Sequence, residues 1–144
     1  VPRVDGPARG LLLAGHRPNG TVAVWLAAAR HGRPGLSASA GVYVSASLKE
    51  EFGIAILEAM ASGLVVVAPV EGGPATYIED GVTGVLVDTT SPAALADGLA
   101  SALALAAAPD ARERADRAVH LVAERFGIET MASALATIYT GVHP

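Results

Sequence analysis

Two glutamates and two glycines are the residues of this chain best placed to do chemistry. Glu50 and Glu58 stand eight positions apart in "SASLKEEFGIAILEAMASG", residues 45–63, with Phe52 and Gly53 between them. Ser47 and Glu50 also fit the S-x-x-E capping box, in which each side chain satisfies a free amide of a first helical turn. Glu50 and Glu51 near a helix start would suit its dipole. Neither point accounts for Glu58, which is flanked by "IAIL" and "AMA" with no basic residue three or four positions away. A carboxylate among apolar neighbours costs on the order of several kcal/mol unless it is paired or reaches an opening, so hydroxyls or amides are expected to meet it. Gly72 and Gly73 follow in "EGGPA". They read either as a turn, with Pro74 starting a short helix, or as a cradle whose free amides, unobstructed by a Cβ, would hold a phosphate.

The elements that must carry these residues alternate. "GLLLAG", 10–15, reads as a buried strand and "TVAVWLAAARHG", 21–32, as a helix; "RPGLSASA", 33–40, reads as a loop. "GVYVSAS", 41–47, is a β-branched and aromatic strand, and "GIAILEAMAS", 53–62, a helix stopped by Gly63. "LVVVAP", 64–69, has the continuous apolar run of a strand covered on both faces. A short helix over 72–81 and a strand over 83–88 follow, and then helices only. The first of these is capped by Ser91-Pro92 and runs to about Ala108; the second covers 110–126, and the third presents Ile128, Met131, Leu135 and Ile138 on one face. Strands alternating with helices predict an α/β fold, a Rossmann-like parallel sheet with helices on both faces. Ligands of such sheets sit outside the carboxyl ends of the strands. The loops "GHRPNG", "SASLKEEFG" and "PVEGGPA" leave those ends, and the polar and glycine-rich residues gather in them.

Bulk composition narrows the class. The 144 residues are 51% hydrophobic and 17% charged, enough for one domain, and an apolar share this high suggests surface covered by a second domain. A net charge of −4 without a basic block argues against nucleic-acid binding. The chain has no cysteine, which excludes disulfides and thiolate metal sites, and His16, His31, His120 and His143 lack metal-ligand spacing. No metal site is therefore expected. The start has no signal-peptide core, and the most apolar run, 99–109, is shorter than a bilayer-spanning helix, so no transmembrane segment is expected. The first residue is not Met, from which the chain is expected to be a piece of something longer.

The stretch from "VYVSAS" to "GVLVD", over about residues 41–108, resembles the donor-binding, C-terminal half of GT-B glycosyltransferases of the large retaining family 4. The resemblance rests on Glu-x7-Glu at Glu50 and Glu58, on Gly72-Gly73, and on the segment from Glu79 to Val87; "ERFGIETMASALATIYTG" resembles the family's C-terminal helices. The resemblance implies that Glu50, the catalytic candidate, meets the hydroxyls of a donor sugar and that Glu58 binds the ribose of a nucleotide, since a carboxylate can accept from both hydroxyls of a vicinal diol. It further implies that the amides around Phe52, Gly53 and Ile54 face the diphosphate or sugar and that Gly72 and Gly73 lie along sugar and phosphate. A nucleotide sugar is then the substrate, with no cofactor and no metal. The partner is an N-terminal acceptor-binding domain or a separate chain, without which transfer is not expected, and the location is cytoplasmic. High Ala, Gly and Arg content suggests a GC-rich, bacterial source.

The chain departs from the family in several places. The Arg/Lys segment that neutralises the leaving diphosphate is not found, although Arg3 and Arg9 lie in its general region. Thr76 stands where relatives often carry a glutamate, and Glu51 where glycine is common. One nucleotide-sugar-binding domain over 1–144 is expected, with 1–40 shortened or divergent, 41–108 the motif-bearing core and 109–144 the C-terminal helices. The alternative reading is a degenerate, non-catalytic module that binds a nucleotide sugar or serves assembly. An epimerase is disfavoured by the glutamate spacing, and a phosphorylase by Lys49, the sole lysine, which sits in the wrong loop for a cofactor.

Overall fold

A computed structural model describes residues 14–35 and 37–141. In order these form α1 (Asn19–His31), β1 (Val42–Val44), α2 (Ile54–Ala61), β2 (Val65–Pro69), a 3-10 turn (Gly73–Thr76), β3 (Gly84–Val87), α3 (Pro92–Ala107), α4 (Ala111–Phe126) and α5 (Ile128–Thr140). The strands form a parallel sheet in the order β1-β2-β3, with Val42 opposite Val65 and Val66 opposite Gly84. This is the expected Rossmann-like α/β architecture. The strand read at 10–15 falls outside the described residues except for Ala14 and Gly15, which are not strand.

Strand β2 organises the core because its side chains alternate between two helical layers. Val66 and Ala68 pack with Ile56 and Met60 of α2, with Ala118 of α4, and with Tyr77. Val65 and Val67 point the other way, onto Ala102 and Ala106 of α3 and onto Val87. All five residues of β2 are buried. Gly98 lets α3 approach closely, since a Cβ there would overlap the Val87 side chain.

The ends of the helices follow local chemistry. Ser91 accepts a hydrogen bond from the Ala94 amide at 3.2 Å with Pro92 in the first turn, the N-cap read from the sequence. Gly63, at φ +75°, closes α2 with its N–H bonded to the Met60 carbonyl at 2.9 Å. Asp110 begins α4 by pairing with Arg114 rather than by capping, and the Arg114 hydrogen bond holds its carboxyl below the usual range. Arg114 also reaches the Gly81 carbonyl at 2.7 Å, and Arg117 pairs with Glu79 at 2.7 Å, so α4 is tied to the loop before β3.

The structure corrects two local readings. Ser47 and Glu50 make no capping box: α2 starts at Ile54 from a left-handed Gly53, and no side chain caps it. The helix read over 72–81 is one 3-10 turn, because Thr83 Oγ1 takes the Glu79 amide and Asp80 Oδ1 takes the Leu86 amide, bending the chain into β3. The apolar face read on α5 is present and lies open. It has no buried residue, and Ile128, Met131, Leu135, Ile138 and Tyr139 are all exposed. No single helix among the described residues is long and apolar enough to cross a membrane.

Candidate functional site

The loops after β1 and β2 meet edge to edge. Glu50 forms an isolated parallel bridge with Gly72, and the Gly73 amide donates to the Glu50 carbonyl at 3.0 Å. The approach is possible only without side chains. A Cβ on Gly72 would overlap the Glu50 carbonyl, and one on Gly73 would overlap the Glu51 carbonyl and lie 2.8 Å from Phe52 Cα. Gly72 is also at φ +95°, a conformation other residues adopt at a cost. The glycine pair is therefore required by backbone contact. Thr76 closes its own turn by donating to the Gly73 carbonyl at 2.7 Å.

Tyr77 reaches across the same junction. Its ring is buried, 2% exposed, in edge-to-face contact with Phe52 and Phe126 at centroid separations of 6.5 and 5.5 Å. Its hydroxyl donates to the Phe52 carbonyl at 2.7 Å. Burial, with the nearby charge of Glu50, pushes the phenol up to about 12. Arg125 at the end of α4 stacks over Phe126, 5.3 Å from its centroid, and donates to the Thr76 carbonyl at 3.3 Å.

Of the residues singled out in the sequence, Glu50, Gly72 and Gly73 are joined by these bonds, and the Phe52 backbone lies beside Gly73. Phe52 is 49% exposed and Ile54, the first residue of α2, 66% exposed. Ile56 and Leu57 turn their amides to the Gly53 carbonyl at 3.0 Å each, while the amides of Gly53, Ile54 and Ala55 have no hydrogen-bond partner among the described residues. Glu58 lies one turn further along and is exposed rather than held in an apolar setting. Ile54, Glu58 and Ala61 share the outer face of α2, whereas Ile56, Leu57, Ala59 and Met60 point inward. The Glu58 side chain borders two crevices. One, of about 380 Å³, lies against Asn19–Leu26 of α1; the other, of about 570 Å³, is apolar and walled by Phe126, Met131 and Ala134.

Two tyrosines were not found from sequence. Tyr43 on β1 is half-buried, and its phenol is raised first by burial and then by the charges of Glu50 and Glu58. Its sequence signal was only that of a strand aromatic. Tyr77, inside the short helix read over 72–81, gave no signal, because its partner Phe52 is distant in the chain. Among the described residues no three His, Asp or Glu side chains gather to hold a metal ion. Arg3 and Arg9 lie outside the described residues.

The family described as glycosyl transferases group 1 matches residues 26–120, a span that contains both glutamates and the glycine pair. The chain belongs to this family. Within it, the chain is similar to the sucrose synthase of Acidithiobacillus caldus, 43% identical over 105 residues covering 68% of this chain and 13% of that protein. It is also similar to the D-inositol 3-phosphate glycosyltransferases of Streptomyces griseus subsp. griseus and of Kribbella flavida. The first is 41% identical over 102 residues, 71% of this chain and 21% of that protein; the second is 40% identical over 110 residues, 74% and 25%. This group 1 glycosyl transferase chain thus spans at most about a quarter of the length of these relatives.

Proposed function

We propose that the chain is the donor-binding, C-terminal half of a GT-B, family 4 retaining glycosyltransferase, and that it binds a nucleotide-diphosphate sugar. The observation that carries this reading is the junction of the Glu50 loop with Gly72-Gly73 at the carboxyl ends of β1 and β2, where a parallel α/β sheet takes its ligands. Glu50 there would accept from sugar hydroxyls in the transferring complex, and Glu58 from the ribose, with the base in the crevice beside α1. The unpaired amides of Gly53 and Ile54, at the start of α2, would meet the diphosphate, which a helix dipole also favours. Phe52 would wall the sugar side. Gly72 and Gly73 would let that sugar lie against the backbone. No metal or cofactor is assigned a role. Transfer would need an acceptor-binding domain N-terminal to this one or on a partner chain, in the cytoplasm where nucleotide sugars are made.

The test is calorimetric titration with UDP, GDP and ADP and with their glucose and mannose conjugates, beside Glu58→Ala and Glu50→Ala. Binding of one nucleotide is expected, weakened about tenfold in Glu58→Ala, the size of one hydrogen-bonded charge contact. Glu50→Ala should weaken the sugar conjugate and leave the free diphosphate alone. If the wild-type chain binds none of them at millimolar concentration, the donor-site reading falls and the assembly-module reading takes its place.

A further inference from the structure

We infer that Tyr77 is a positioning residue for the anion-binding end of α2: its hydroxyl fixes the Phe52–Gly53 peptide so that the Gly53 N–H is turned to a ligand. The inference rests on the donor-site reading and adds a residue to it. In a planar trans peptide the carbonyl and the following N–H point in opposite directions. No cis peptide occurs among the described residues, and the Phe52 carbonyl is held inward by the Tyr77 hydroxyl at 2.7 Å. The Gly53 N–H must then point away from Tyr77. That N–H has no partner among the described residues, although Gly53 itself is buried. An unpaired amide at a helix start is a donor that an anion would satisfy.

The surroundings leave this peptide little freedom. Gly53 sits at φ +85°, and a Cβ there would lie 2.7 Å from the Tyr77 hydroxyl and 2.9 Å from Ile56 Cδ1. Phe52 and Phe126 hold the Tyr77 ring edge-on, with its hydroxyl 2.7 Å from the Phe52 carbonyl and a longer 3.5 Å from the Gly53 carbonyl. The second tie, from the Gly73 amide to the Glu50 carbonyl, fixes the other end of the same loop. Tyr77 therefore joins the glycine turn to the amide that begins α2, and removing its oxygen releases that amide without touching either glutamate.

The experiment compares wild type with Tyr77→Phe, which keeps the ring and deletes the hydroxyl. Residual dipolar couplings report the direction of the Gly53 N–H without any ligand. Titrations with UDP, GDP and ADP and with the matching nucleosides report binding. The expected result is a reoriented or averaged Gly53 N–H, with the diphosphate weakened about tenfold relative to its nucleoside, the scale of one charge-assisted hydrogen bond. A fold staple alone would weaken both together. In the wild-type protein the Gly53 amide proton should shift when the diphosphate is added and stay in place with the nucleoside, which keeps the test open if Tyr77→Phe does not fold. An unchanged N–H direction, an equal loss for both ligands, or a Gly53 proton indifferent to diphosphate overturns the assignment. If wild type binds no nucleotide but the N–H still reorients in Tyr77→Phe, the peptide lock stands, and both the donor-site reading and the ligand role of Tyr77 fall.

Discussion

Glu50 and Gly72 lie backbone against backbone, so close that a methyl group on Gly72 would overlap the Glu50 carbonyl. Gly72→Ala meets that overlap and a positive φ together. It should cost about 1–3 kcal/mol in urea unfolding, the range for a strained backbone position. An unchanged midpoint would mean that the two loops part freely, and the junction could then not be a rigid site.

Glu58 should behave in the opposite way. Its side chain is exposed on α2. Glu58→Gln should leave stability within about 0.5 kcal/mol, as surface substitutions do. Nucleotide affinity, followed by calorimetry, should nevertheless fall about tenfold. A stability loss matching the affinity loss would assign Glu58 to the fold.

The chain has two methionines, and their settings differ. Met60 is fully buried between α2 and the sheet, and Met131 is 56% exposed on α5. Met60→Ala should cost about 2–5 kcal/mol, through lost contacts and the cavity left behind. Met131→Ala should cost less than about 0.5 kcal/mol. Mild peroxide should oxidise Met131 first, as peptide mass spectrometry would show.

Alkaline pH gives a signed prediction for Tyr77. Its phenol titrates at about 12 in the folded chain against 10.0 ordinarily, so the folded state holds the proton more tightly. The stability this provides is complete below pH 10 and is lost as pH rises from 10 through about 12. Tyr77→Phe should reduce that slope and leave the share of Tyr43, whose phenol is also raised, measured as urea midpoint against pH alongside tyrosinate absorbance. A wild-type profile already flat over this window would show the phenol to be freely solvated.

The sequence made legible what depends on local pattern. The run "LVVVAP" announced a strand buried on both faces, Gly63 a helix end, and Ser91-Pro92 a helix start, and each is found there. What failed depends on distant partners. Ser47 and Glu50 have the letters of a capping box, but the Glu50 backbone is paired with Gly72 and the helix begins only after Gly53. Glu58 has apolar neighbours in sequence, yet the helical period places those neighbours inside and Glu58 outside. The Tyr77 hydroxyl finds its acceptor on another loop, which no window around residue 77 could reveal. The glycine pair was legible as a candidate, but as a cradle for an anion; its contact with the Glu50–Phe52 backbone is a second requirement that composition does not express.

Strand β2 serves two layers at once, with Val66 and Ala68 on one and Val65 and Val67 on the other. Its reading frame is therefore indivisible. One residue inserted into or deleted from "VVVAP" would exchange the contents of both layers in a single step, because side chains alternate with a period of two. It would also displace Gly72 and Gly73 from the Glu50 loop they abut. A change of length should be better tolerated at a connection such as the one between α3 and α4, and the distance from β2 to the glycine pair is as much a part of the junction as the residues themselves.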